Sequence, residues 1–150
     1  MISFRLSDVY YGVGSRKNRR AFTRFLKAAE DGESGYVQRQ PLTSNWRRSQ
    51  TGLDLSLWEQ GIEISGQTER EGKLHLRVEQ IPWKVLQMGK YSNTCLAFGG
   101  CSEHSAAAVM LDINKQVVYA RNEKGAVVAR QLLAISEERN LVAFVSHSAG

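Results

Sequence analysis

The stretch Lys115-Gln-Val-Val-Tyr-Ala-Arg121, then Asn122-Glu-Lys-Gly125, then Ala126-Val-Val-Ala-Arg-Gln-Leu-Leu-Ala-Ile135, decides the fold of this chain. Both long runs are rich in residues that favour strands, and the four residues between them are typical of a turn. A third strand over 141–145 follows the turn Glu137-Glu-Arg-Asn140. The sequence therefore predicts an antiparallel three-stranded meander in its C-terminal part.

A hairpin is predicted upstream of the meander. Gly61-Ile-Glu-Ile-Ser65 alternates apolar with polar residues, and Glu69-Arg-Glu-Gly72 is a turn leading into Leu74-His-Leu-Arg-Val78. The period of two places the apolar residues of this second strand toward the core and His75 and Arg77 on the opposite face.

The rest of residues 33–72 is rich in Gly, Ser, Gln and Thr, and we expect loops around short strands there. The alternation in Leu53-Asp-Leu-Ser-Leu-Trp58 predicts one such strand. Residues 2–13 are predicted to be a short strand or extended arm.

Three helices are predicted. The first runs from Arg16 to Asp31, with Ser15 as N-cap and Gly32 in the C′ position. Its apolar stripe has the spacing i, i+3, i+4, i+7 and consists of Phe22, Phe25, Leu26 and Ala29. Pro82 begins a short helix that Gly89 ends, and residues 103–112 form a helix apolar on nearly every side and therefore buried.

These elements define an α+β fold in a single domain over residues 1–150, either alone or as one domain of a longer polypeptide. A chain of this length buries roughly 70% of the surface that its unfolded form exposes. No run reaches the roughly 18 apolar residues of a membrane span, and the N-terminus lacks the apolar region of a signal peptide. We therefore expect a cytoplasmic protein with no membrane partner.

The positive charge is concentrated in the first third of the chain. Of 20 Lys and Arg and 15 Asp and Glu, residues 1–50 hold ten and four, which leaves ten and eleven for residues 51–150. The net charge is +5 and the sequence pI is about 9.4. Such segregation favours an acidic partner, either nucleic acid or an acidic protein.

The first predicted helix carries most of this charge. Its candidate nucleic-acid-binding residues are Arg16, Lys17, Arg19, Arg20, Arg24 and Lys27. Trp46 lies beside Arg47 and Arg48, which would extend the basic patch, and its ring could stack on an unpaired base. The competing interpretation is a solvated helix face. No known nucleic-acid-binding motif accompanies the patch, so the sequence does not discriminate DNA from RNA.

The segment Asn93-Thr-Cys-Leu-Ala-Phe-Gly-Gly-Cys-Ser-Glu-His104 holds both cysteines and one of three histidines. Cys95, Cys101 and His104 are acceptable zinc ligands, with His75 or His147 to complete the site, but their spacing is not that of a zinc knuckle. We therefore predict neither a metal nor another cofactor.

A cysteine nucleophile is a separate hypothesis for the same segment. The candidates are Cys95 and Cys101, the latter near a predicted helix N-terminus that would stabilise its thiolate. The base would be His104 on the same helix, or His75 or His147 from another element. The alternative is that both cysteines are small buried hydrophobic residues in a turn.

Arg121 and Arg130 are candidate anion-binding residues. With a four-residue turn, Arg121 lies opposite Ala126, and Arg121, Tyr119 and Val117 share a sheet face with Val128 and Arg130. Two guanidinium groups and a phenol on one face suit a phosphate or a carboxylate. Solvated arginines on a sheet are the alternative.

Three functional hypotheses follow. The first is a small basic domain that contacts nucleic acid or another polyanion through its N-terminal helix. The second is an enzyme that uses Cys95 or Cys101. The third is a protein-interaction module of a larger protein, with exposed aromatic residues as the docking surface.

Overall fold

The architecture is α+β, as the sequence predicts, with one antiparallel sheet and short helices. It is seen in a computed structural model that describes residues 16–33, 41–91, 94–96, 106 and 109–149. For residues 16–19, 21–22, 29 and 41–44 only the helical backbone is described. The arm predicted over 2–13 and the N-cap Ser15 lie outside these ranges.

The strands are β1 (Glu63–Thr68), β2 (Gly72–Val78), β3 (Lys115–Asn122), β4 (Val127–Ile135), β5 (Leu141–Ala143) and β6 (His147–Ser148). The helices are α1 (Arg16–Glu30), α2 (Pro41–Ser49), α3 (Ser56–Gln60) and α4 (Pro82–Leu86), the last followed by a 3-10 turn at Gln87–Gly89. The sheet order is β1-β2-β3-β4-β5, and β6 also pairs with β4. The predicted hairpin and meander are therefore confirmed.

The register of the central hairpin differs from the prediction at one point. Tyr119 lies opposite Arg130, but a bulge at Ala120 and Arg121 shifts the pairing so that Arg121 faces Val127. The expected partner Ala126 lies instead in the turn, where its N–H donates to the side-chain oxygen of Asn122. The predicted pairing of Arg121 with Ala126 is therefore wrong, whereas Arg121, Tyr119 and Arg130 do share a face.

Both faces of the sheet are packed at its central strands, β3 and β4. On one face Val117 and Tyr119 contact a cluster that includes Phe25 of α1 and Leu86 of α4. On the other face Val118 packs in a separate cluster with side chains from α2, α3, β2 and β4, namely Trp46, Leu55, Trp58, Leu76, Val78, Leu133 and Ile135. The central strand β3 thus belongs to two cores.

The prediction for β2 is confirmed. Leu74 and Leu76 are half-buried and Val78 is buried, whereas His75 and Arg77 are exposed on the other face. In the predicted helix over 103–112, only Ala106 and residues 109–112 are described. Ala106 and residues 109–111 are helical and buried, whereas Asp112 is half-buried and lies outside the helix.

The strand predicted over Leu53–Trp58 is wrong. The side-chain oxygen of Asp54 accepts the N–H of Ser56 at 2.9 Å, which favours the start of a helix, and α3 follows. Hydrogen bonds from the side chain and the backbone N–H of Ser56 lower the pKa of Asp54. Trp58 is buried and donates from Nε1 to the carbonyl of Ile113 at 2.8 Å. The sequence also predicts loops around short strands in the region of Pro41–Ser49, where the structure has the helix α2.

The third meander strand is shorter than the predicted 141–145. Pairing stops at Ala143 and resumes in β6, because the chain between them bonds β4 irregularly: Phe144 donates its N–H to Leu132 and accepts from the side chain of Gln131. Within the described ranges, no helix has the length and apolar character needed to cross a bilayer.

Candidate functional site

Helix α1 separates apolar from basic side chains. Phe25 and Ala28 are each 4% exposed and face the core, and Phe25 packs edge-on against Trp83 with ring centroids 5.9 Å apart. Arg20, Arg24 and Lys27 are exposed. They are spaced i, i+4, i+7 and so form a stripe, the basic stripe, that rises about 6 Å and then about 4.5 Å along the helix axis.

The basic stripe has no ion-pair partner within the described ranges. Among the described residues Arg20, Arg24 and Lys27 form no ion pair, and the helix has no acidic residue in its first turn. Other basic side chains do lie beside carboxylates: Arg47 with Glu59, Arg70 with Glu71, Arg77 with Glu63, Lys115 with Asp112, and Arg121 with Glu79. Within the described part of the chain, the stripe therefore presents three cations to solvent without an ion-pair partner.

The other basic candidates differ in what is described of them. Arg16, Lys17 and Arg19 lie on the helical backbone of α1, where only the backbone is described. Arg16 precedes Arg20 by four residues, so its Cα continues the stripe toward the helix N-terminus.

The predicted extension through α2 is partly committed to the protein's own contacts. Arg47 Nε lies 2.7 Å from Glu59 Oε1, an ion pair by distance whose N–H is not aligned for a hydrogen bond. Arg48 donates to the side chain of Asn45. Trp46 is half-buried and packs against the core cluster around Trp58.

The two candidate anion-binding arginines occupy different environments. Arg121 keeps 24% of its side chain exposed and donates to Glu79 Oε2 at 2.6 Å. Arg130 is only 4% exposed and donates to the Thr94 hydroxyl at 2.8 Å. Burial lowers the pKa of the Arg130 guanidinium, an effect that Tyr119 and Cys95 oppose. The shared face does not bring the two guanidinium groups into one open site.

The cysteine candidates are only partly described. Cys95 is a free, exposed cysteine, and no hydrogen bond within the described residues joins it to a histidine. His75 is exposed on β2, with Nδ1 2.8 Å from the hydroxyl of Ser65. Cys101 and His104 lie outside the described ranges. Among the described His, Cys, Asp and Glu side chains, no group of three could hold a metal ion. The enzyme hypothesis stays a prediction.

A cleft of about 680 Å³ lies between the end of α1, α4 and β3, lined by Phe25, Trp83, Val109 and Met110 among others. Gly32 and Glu33 border it, and the chain immediately beyond them lies outside the described ranges. We therefore assign no ligand to this cleft.

Comparison with known proteins yields no relative: no protein-family model, no curated protein and no solved structure matches this chain.

Proposed function

We propose that this chain is a small single-domain cytoplasmic protein, or one such domain of a longer one, that binds nucleic acid or another polyanion through α1. The basic stripe supports the proposal, because its three cations are exposed, unpaired among the described residues and aligned along one helix face. Phosphate contacts by Lys and Arg supply most sequence-independent affinity for nucleic acid, through release of condensed counterions.

Stability and binding are carried by different faces of α1. The buried face holds Phe25 and Ala28 in the core, whereas Arg20, Arg24 and Lys27 are exposed and belong to neither core cluster of the described residues. Exposed substitutions of this kind usually change stability by no more than about 0.5 kcal/mol. The charge can therefore be removed while the helix remains in place.

The test compares two variants of equal charge. Substituting Arg20, Arg24 and Lys27 by Gln lowers the net charge from +5 to +2 and keeps good helix formers in α1. The control substitutes Arg70, Lys90 and Lys124, exposed cations elsewhere in the fold, by Gln and also gives +2. Binding to single-stranded and duplex DNA and RNA is measured by fluorescence anisotropy across a salt series.

The wild-type and control proteins should bind with an affinity that falls steeply with salt. In the stripe variant the plot of log K against log salt should become shallower, because three phosphate contacts are lost. The magnitude of its negative slope should decrease by about 2.7 on duplex DNA, or by about 2.1 on single strands. If both variants lose the same affinity, net charge rather than α1 is responsible. No binding at low salt contradicts the proposal outright.

Protein interaction is the second candidate, favoured by the exposed apolar residues at the C-terminal edge of the sheet. Leu141 is 62% exposed and Val145 78% exposed, with Phe144 between them at 46%. Edge strands usually carry charges or prolines that oppose pairing with another chain. Residues 140–149 contain no Lys, Arg, Asp, Glu or Pro, so two copies of this edge would meet without like-charge repulsion.

A further inference from the structure

A polar groove of about 410 Å³ lies between β2 and the start of α4, on the sheet face that carries Tyr119. We call it the cationic groove. Its charged and titratable lining residues come from β1, β2, β3, the residue that follows β2, and α4. They are Glu63, His75, Arg77, Glu79, Lys84 and Arg121. Its volume falls within the range typical of small-molecule sites.

Arg121 lines this groove and is held by contacts with Glu79 and Tyr119. Its guanidinium donates to Glu79 Oε2 at 2.6 Å and lies 5.1 Å from the centroid of the Tyr119 ring. The other carboxylate oxygen of Glu79 accepts the N–H of Ile81 at 3.0 Å, and the Glu79 side chain is only 7% exposed. Both oxygens of Glu79 are thus engaged by the protein, and Arg121 retains further N–H donors.

Arg77 lies next to Arg121 on the same face. Arg121 pairs with His75, so Arg77 is its diagonal neighbour across the β2–β3 ladder, about 7–8 Å away. The Arg77 side chain is 63% exposed, and its Nε is 4.0 Å from Glu63 at a solvent-exposed site, where an ion pair contributes little. Arg77 is therefore available to a ligand.

Lys84 supplies the third cation from the opposite wall. Its carbonyl accepts the Tyr119 hydroxyl at 2.5 Å, which fixes α4 against the sheet at this point. Its side chain is exposed, and no carboxylate lies beside its ammonium group among the described residues. The groove is lined by three cations and two carboxylates, so the cations are in excess by one. The two oxygens of the Glu79 carboxylate already accept hydrogen bonds from Arg121 and from the N–H of Ile81.

We propose that the cationic groove binds a small organic anion through a carboxylate or phosphate group held by Arg77, Lys84 and Arg121. Guanidinium groups hold either group through paired hydrogen bonds, and Lys84 adds a point charge. Arg121 gives the site its fixed reference, whereas Arg77 and Lys84 are the exposed side chains that close on the anion. This site uses none of the residues of the basic stripe.

The test titrates the whole chain with inorganic phosphate and, separately, with sodium acetate, against sodium chloride at matched ionic strength. Amide and arginine Nε–H signals are followed by NMR. Saturable shifts confined to β2, β3 and α4 are expected with at least one of the two anions. If neither anion produces saturation beyond that of chloride, the proposal is overturned.

Two variants assign the effect to the groove. Substituting Arg77 and Lys84 by Gln should weaken anion binding at least tenfold, because it removes two of the three cations that hold the anion. The fold should be kept, because both side chains are exposed and neither belongs to the core. Substituting Lys90 and Lys124 by Gln removes the same charge elsewhere and should leave the affinity unchanged. Equal losses in the two variants would show charge screening rather than a site and would overturn the proposal.

DNA binding by the same variants shows whether the groove binds free anions or the phosphates of nucleic acid. The Arg77 and Lys84 variant should keep the wild-type salt slope on DNA, and the basic-stripe variant should keep the wild-type anion shifts. If the groove variant loses DNA binding while free anions never saturate the wild type, the groove contacts nucleic-acid phosphates and the small-anion proposal fails. If only the expected effect of the basic-stripe variant on nucleic-acid binding fails, the proposed function is contradicted and the small-anion proposal still stands.

Discussion

Tyr119 joins the sheet, α4 and the cationic groove. It is fully buried, its ring packs edge-on against Tyr91 at 5.2 Å between centroids, and its hydroxyl donates to the carbonyl of Lys84. Burial raises the pKa of the Tyr119 phenol well above its ordinary value, and Tyr91 and Glu79 act in the same direction. The phenol therefore stays neutral in the folded protein at pH values where the unfolded chain ionises.

Substituting Tyr119 by Phe should cost about 1 kcal/mol at neutral pH, since one hydrogen bond is lost and the Lys84 carbonyl loses its donor. The raised pKa contributes stability that is fully present below about pH 10 and is lost as pH rises above that value. The cost of the substitution should therefore shrink above about pH 10. Urea unfolding at several pH values measures it.

Tyr91→Phe is the control, because it keeps the ring contact and no hydrogen bond from the Tyr91 hydroxyl occurs within the described residues. It should change stability by less than about 0.5 kcal/mol. A cost for Tyr119→Phe that is independent of pH would show that the phenol ionises normally.

At the scale of the element, α1 ends in a Schellman motif centred on Gly32. Gly32 has φ of +73°, and the N–H of Glu33 donates to the carbonyl of Ala28 at 2.8 Å. No atom lies within 4 Å of the position a Cβ would take at Gly32. Gly32→Ala should therefore cost about 1 kcal/mol from backbone strain alone. Thermal or urea unfolding measures this loss.

Gly66→Ala in β1 is the matched control. That position also has open space around an added Cβ, but its φ is not positive. We expect a change within about 0.5 kcal/mol there. Equal effects at the two glycines would mean that the left-handed conformation of Gly32 is not the source of the cost.

Long elements with a clear period could be predicted from the sequence, and short ones could not. The apolar stripe of α1 and the strand runs of β2, β3 and β4 each repeat their pattern several times, which fixes the type of element. Helix α3 spans five residues, too few to separate a helical period from the alternation in Leu53–Trp58. The hydrogen bond that the Ser56 N–H donates to the Asp54 side chain and the burial of Trp58 favour the helix.

The site shows the same division. The basic stripe follows from one helix and its period, so Arg20, Arg24 and Lys27 could be named in advance. The cationic groove depends on the β2–β3 register and on where α4 packs, so Glu79 and Lys84 were missed. The sequence does name Arg121 as an anion-binding candidate and places Arg77 on the strand face opposite Leu76, but it does not indicate that the two arginines line one groove.

For the whole molecule, the uncharged edge segment over 140–149 predicts self-association. Wild-type protein should show concentration-dependent association by analytical ultracentrifugation. Substituting Leu141 and Val145 by Lys should abolish it, because edge charges oppose strand pairing. Leu57, which is 75% exposed on α3, is the control site for the same substitution. A monomer at every concentration would contradict this second functional candidate.

The double burial of β3 restricts how this sequence can vary. Val117 and Tyr119 lie in one core and Val118 in the other, so successive side chains of β3 contact opposite halves of the protein. An ordinary antiparallel strand with one solvated face accepts polar replacements at every second position. Over Val117–Ala120, β3 has no such position, so homologues should diverge fastest in β1 and slowest in β3.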